Sequence, residues 1–158
     1  MRKALLLGLA LVAAPLAAKD SLGVFGEWGA FRDPQVPRCY AIAAAQNART
    51  GQPFASVGTW PRRQVRGQVH VRLSRAVAPS ATISLSVGGQ RFELTGGGGD
   101  AWAQGRTMDA GIVAAIRSAG SMSVSARDRS GRRFTDRYSL EGAATAMDAA
   151  TVGCARIR

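Results

Sequence analysis

From Gln68 to Arg75 the chain alternates without a break. Val69, Val71 and Leu73 interleave with His70, Arg72 and Ser74. A repeat of two matches the pleat of a β-strand and no helix. The apolar set is expected to face a core, and the polar set solvent or a partner. Ile83, Leu85 and Val87 repeat the pattern. Gly88-Gly89 then turns the chain into Arg91–Leu94, because paired glycines supply the positive φ angles of a tight hairpin. Trp28–Phe31 and Cys39–Ile42, separated by Asp33-Pro34 and Pro37, read as two short strands joined by an irregular loop. Phe54–Trp60 is a further strand. Met122–Arg127 and Arg133–Tyr138 form a hairpin turning at Arg129-Ser130-Gly131.

Two stretches change period. Met108, Ile112, Ala115, Ile116 and Ala119 recur at helical steps, which predicts a helix over Thr107–Ala119 with Thr107 or Asp109 capping its start. The alanine-rich run Ala143–Ala150 predicts a second helix, with Ser139 as cap and Gly153 as stop. Gly96–Gly99 is expected to be a flexible loop. A phosphate-binding loop would need a helix opening directly after it, and Asp100-Ala101-Trp102 follows instead. The fold class is mainly β: an antiparallel β-sandwich or partly closed barrel with one or two short packed helices.

The N-terminus has a different design. Arg2 and Lys3 precede an apolar run from Ala4 to Leu16, and small residues lead to a polar turn at Lys19-Asp20. This is the layout of a secretory signal peptide over 1–18, cleaved after Ala18. The run is too short for a membrane span and contains Pro15. A single β-rich domain is expected over 19–158, with no membrane span, in the periplasm or beyond it at the outer surface or secreted. Cys39 and Cys154 are the only cysteines. In an oxidising compartment such a pair bonds. The competing readings are an unpaired pair or a reactive thiol, and the latter needs a C-x-x-C spacing or an adjacent activating group.

Several landmarks occur in order: Trp28-Gly-Ala-Phe31, Arg38-Cys-Tyr-Ala-Ile42, Ala101-Trp102, Asp109 with Ile112–Arg117, Tyr138-Ser-Leu-Glu-Gly142, and the closing Cys154. With the export signal, this set resembles the invasion-associated locus B family of exported bacterial proteins, from about residue 25 to the end. The better-known members carry a cysteine soon after the first tryptophan. Here that stretch is Gly29-Ala30-Phe31, as in a shorter, two-cysteine branch. The resemblance implies a small β-rich envelope protein. The family's name comes from members linked to invasion of host cells, and it brings no catalytic residues to carry over.

The residue inventory limits the chemistry. One His and two Cys exclude a three-His or Cys-rich zinc site and a four-Cys iron–sulfur cluster, so neither metal nor cofactor is expected. No Walker sequence and no G-x-S-x-G elbow is present. The expectation is a non-enzymatic protein. The alternative is a periplasmic hydrolase using His70, which needs a nucleophile and an orienting group in reach, or a carboxylate pair. The formal charge of +11 comes almost entirely from arginine. One arginine set is Arg62, Arg63, Arg66, Arg72 and Arg75; the other is Arg127, Arg129, Arg132, Arg133 and Arg137. If their hairpins are neighbours, Arg62, Arg63, Arg66, Arg72, Arg132, Arg133 and Arg137 make an anion-binding face for an anionic envelope component or a protein partner. The plain alternative is a solvated surface. Export and few aromatics disfavour nucleic acid.

Overall fold

The computed structural model describes residues 19–49 and 51–155. The leader expected over 1–18 lies outside the described residues. Ten strands and two helices follow in chain order: β1 (Asp20–Phe25), β2 (Trp28–Asp33), β3 (Arg38–Ala44), β4 (Phe54–Trp60), β5 (Val65–Arg72), β6 (Ile83–Val87), β7 (Gln90–Gly97), β8 (Asp100–Trp102), α1 (Arg106–Ser118), β9 (Ser121–Arg127), β10 (Arg133–Ser139) and α2 (Ala143–Cys154). They form one sheet in the order β1-β2-β3-β4-β5-β8-β7-β6-β9-β10, and every pairing is antiparallel.

The sheet bends into two leaves at β7. Residues Gln90–Leu94 pair with β6, and Thr95–Gly97 pair with β8. The last strand comes back against the first leaf. Trp28 Nε1–H donates to the Ser139 carbonyl (2.9 Å), and Gln46 N–H donates to the Arg137 carbonyl (2.8 Å). These contacts stop short of a closed barrel, so the mainly β, sandwich-like expectation with short helices holds. Among the described residues, no helix is long and apolar enough to cross a membrane.

Alternation decides what is buried. Ala41, Ala43, Ala55, Val69 and Val71 from the first leaf meet Leu85, Val87, Val124 and Tyr138 from the second. The helices lie on this same inner side. In α2, Ala143, Ala146 and Ala150 are buried, and their small side chains let the helix sit close to the alanines of β2 and β3. Cys154 closes the last turn of α2 onto Cys39 of β3, with Cα atoms 5.6 Å apart. The disulfide closes a 115-residue separation, worth about 4–5 kcal/mol in the chain-entropy account.

Four sequence expectations need correction. The glycine run is no loose loop: Thr95, Gly96 and Gly97 pair with Trp102, Ala101 and Asp100. A Cβ at Gly96 would lie 2.1 Å from the Asp100 carbonyl oxygen, so only glycine permits that approach. The tip is also tied down, since Gly99 and Gly98 carbonyls accept from Leu73 and Val77 N–H. Asp109 does not cap α1. It sits inside the helix, buried, and accepts the Val69 N–H at 2.8 Å. β8 reaches only to His70, and Asp109 supplies the acceptor beyond its end. Ser139 does not cap α2, which opens after Gly142 in a left-handed conformation. Gly153 does not stop α2 either. It lies within the helix, and Leu22 packs on it so closely that a Cβ would come within 2.5 Å of Leu22 Cδ1.

Candidate functional site

The outward side of the first leaf is unlike an ordinary solvated sheet face, which carries polar residues. Phe31, Tyr40, Phe54, Trp60 and Trp102 all sit at outward positions. They are half of the chain's aromatic side chains, which number three Trp, two Tyr and five Phe. Register brings them together. Phe31 pairs with Tyr40, Tyr40 with Gly58, Ser56 with His70, and His70 with Trp102. Both helices pack on the other side, so among the described residues no element covers this face. Trp102 is 37% exposed, and the other four rings are half-buried.

Glycines explain why the rings lie down. A Cβ at Gly29 would come within 2.7 Å of the Phe31 ring, and one at Gly58 within 2.7 Å of the Trp60 ring. Each ring occupies the space a side chain two residues earlier would fill. Phe31 and Tyr40 stack with centroids 5.7 Å apart, and the Arg38 guanidinium lies 4.8 Å from the Tyr40 ring centre. That contact is a cation–π pair.

His70 stands at the centre of a second group. Its ring stacks on Trp102 at 5.1 Å and 14°, and meets Phe54 edge-on at 5.4 Å. His70 Nε2–H donates to Asp100 Oδ1 (2.8 Å), and Arg72 Nε–H reaches the same oxygen (2.9 Å). The carboxylate therefore fixes both the imidazole and the guanidinium. Ser56, across the ladder from His70, donates its hydroxyl to the His70 carbonyl at 3.4 Å and not to the ring. Lys19, Arg38, Gln68 and these rings line a shallow depression of about 310 Å³.

The arginine sets do not converge on one face. Arg62 and Arg63 occupy a short 3-10 turn after β4. Arg66 and Arg72 stand near opposite ends of β5, about 20 Å apart along the strand. A bulge intervenes: Gly67 has φ +67°, and the register slips between Gly58 and Trp60. The slip turns Arg66 to the inner side, where it lines a cleft of about 360 Å³ with Val57, Val113, Arg117 and Met147. The two sets meet at one carboxylate, because Asp128 Oδ2 lies 3.0 Å from Arg75 and 3.4 Å from Arg132. Burial opposes the Asp128 charge, yet backbone donation from Arg132 and Ser130 and the Arg75 guanidinium hold its carboxyl below the usual range. Arg133 begins β10, away from Arg72, and Arg137 lies beyond it on the same strand, its N–H donating to Asn47 Oδ1 at 2.9 Å.

Of the residues singled out in the sequence, the structure thus brings Arg72 and His70 into the aromatic face; Arg62 and Arg63 follow Trp60 on an exposed turn at its border, Arg66 lines the inner cleft, and Arg132, Arg133 and Arg137 lie at or on β10. The rings themselves escaped the sequence reading. The available signal was their phase: Tyr40 and Trp60 alternate with Ala41 and Thr59. Among the described residues there is no cluster of three metal-ligating side chains. No protein-family model, no curated protein and no solved structure matches the chain.

Proposed function

We propose that this chain is an exported, non-enzymatic cell-envelope protein of the invasion-associated locus B type. In this reading it binds an anionic envelope or host component through the outer face of its first leaf. The observation that carries the proposal is the meeting of Arg38, Arg72 and Lys19 with uncovered aromatic rings on one sheet face. Guanidinium forks suit carboxylate and phosphate groups. The basic residues at the far hairpins then serve long-range attraction and solubility, not contact. The Cys39–Cys154 bridge supports export, because such bonds persist in oxidising compartments.

The test has two parts. N-terminal sequencing of protein recovered outside the cytosol is expected to start at Lys19. Binding of the purified protein to lipopolysaccharide-containing envelope preparations is expected to weaken steadily as salt rises. Arg38→Gln with Arg72→Gln is expected to remove most of it, while Arg62→Gln with Arg63→Gln changes it little. Equal losses from both pairs would contradict the placement of the site.

A second reading rests on the His70–Asp100 pair at 2.8 Å. An imidazole oriented by a carboxylate is two-thirds of a hydrolytic triad. Ser56 would have to release the His70 carbonyl and turn to the ring. Turnover of an ester that vanishes in both His70→Gln and Ser56→Ala would favour this reading.

A further inference from the structure

We propose that the ligand of the outer face is an acidic polysaccharide, with its sugar rings laid on the flat aromatic side chains and its carboxylates met by Arg38 and Arg72. The inference rests on the reading that this face binds an anionic envelope component, and it names what that component is.

The rings supply the first argument. Gly58 and Gly29 let Trp60 and Phe31 lie against the strand instead of standing on it. A ring lying down presents its π face outward. Such a face stacks on the flat C–H side of a sugar or on a base, and it offers little to a bare phosphate. The rings run across the sheet, Phe31 and Tyr40 on β2 and β3, Trp60 and Phe54 on β4, His70 and Trp102 on β5 and β8. From β2 to β8 the array crosses four strand spacings, or about 19 Å. That length exceeds one sugar ring, so a chain of linked sugars fits better than a single small molecule.

The groups between the rings supply the second argument. Ser56 and Gln68 occupy outward positions beside His70. A neutral hydroxyl and a carboxamide pair with sugar hydroxyls, which both donate and accept. Asp100 adds an acceptor on β8, at the edge of the face, held by His70 and Arg72. A sugar hydroxyl donates to that carboxylate, which a phosphate backbone, carrying no donor, cannot do. Single-stranded nucleic acid, the other polymer that pairs aromatic stacking with basic side chains, is disfavoured on that ground.

The third argument is charge. Arg38 stands over Tyr40 at 4.8 Å, and Arg72 beyond His70. The register sets Arg38 and Arg72 towards opposite ends of the ladder, since Tyr40 pairs with Gly58 and Phe54 with Arg72, so a carboxylate-bearing polymer that crosses the face meets a guanidinium at each end.

The experiment titrates the purified protein with polygalacturonate, inorganic polyphosphate and a dT oligonucleotide, following tryptophan fluorescence and heat. Wild type is compared with Trp102→Ala, Trp102→Phe and Arg72→Gln. Trp102 is the safest ring to remove because it is the most exposed, and circular dichroism with a melting curve confirms that each variant is folded. Polygalacturonate is expected to bind. Trp102→Ala is expected to weaken it roughly tenfold, which is about 1.4 kcal/mol, and Trp102→Phe to restore most of the loss. Polyphosphate binding, driven by charge alone, is expected not to respond to Trp102→Ala. Polygalacturonate affinity that falls with Arg72→Gln but ignores Trp102→Ala would overturn the polysaccharide assignment and leave anion binding standing. Tighter binding of the oligonucleotide, lost with Trp102→Ala, would overturn it in favour of nucleic acid. Failure of all three polymers to bind at low salt would remove the anion-binding reading itself.

Discussion

Trp60 lies flat over Gly58: a Cβ at position 58 would sit 2.7 Å from the Trp60 indole. Both belong to β4 and point outward, so the glycine is what keeps the ring down. Gly58→Ala is expected to lift the indole, red-shift its emission and cost about 1–3 kcal/mol by overpacking. Unchanged emission, or a stability loss within error, would show that the ring has room to spare.

Cys39 and Cys154 tie β3 to the last turn of α2. At that end of the helix Val152 is 66% exposed, and Gly153 rests on Leu22 of β1. Cys39→Ala with Cys154→Ala is expected to lower the urea-unfolding free energy by up to about 4–5 kcal/mol. The check is equilibrium unfolding of the variant and of wild type, oxidised and reduced. A midpoint that ignores reductant would contradict a stabilising bridge.

Asp109 is a buried carboxylate whose pKa is raised, first by loss of solvation, with the Val69 N–H pulling partly the other way. A raised folded-state pKa means that the folded protein holds this proton more tightly than the unfolded chain does. Its contribution is therefore fully present below the unfolded pKa and lost as pH rises through the folded one. Asp109→Asn keeps an oxygen for Val69 and removes that pH dependence. It is expected to be as stable as wild type at neutral pH or more so. Asp109→Ala leaves a buried N–H unpaired and is expected to cost about 1–3 kcal/mol. Thermal melts across acidic to neutral pH separate the three proteins.

The strands were legible where alternation was strict. Ile83, Leu85 and Val87, with Gly88-Gly89 after them, form the expected hairpin, its glycines at φ +56° and +76°. β1 was missed because Gly23, at φ +133°, breaks its alternation and shifts its register. β8 has only three residues and exists because Gly96 allows the backbones to meet. The candidate site was half legible. The outward phase of His70 and Arg72 followed from the repeat of two. The rings did not, because large aromatics usually fill cores. On β3 and β4 the inner positions carry small residues, Cys39, Ala41, Ala43, Ala55 and Val57, because α2 comes close on its alanines and Cys39 must reach Cys154. The large rings of β3 and β4 are left outside. Nor could spacing reveal that Gly67 turns Arg66 away from Arg72, since a bulge reverses phase without changing residue types.

Tyr138 is fully buried, and its hydroxyl has no hydrogen-bond partner among the described residues. Burial, with Asp136 nearby, pushes its pKa well above the ordinary tyrosine value. Tyr138→Phe removes an unpaired polar atom while keeping the ring, and is expected to hold or raise stability by about 1 kcal/mol. A clear loss in urea unfolding would reveal a partner for that hydroxyl.

The most direct measurement is a map of where an acidic polysaccharide touches the protein. Isotope-labelled protein titrated with polygalacturonate is expected to show its largest NMR shifts at the Trp60 and Trp102 indoles, the Tyr40 ring and the amides of β3, β4, β5 and β8. Shifts confined to the arginine-rich turns at Arg62–Arg63 and Arg129–Arg133, with the three rings unmoved, would contradict a binding face on the first leaf.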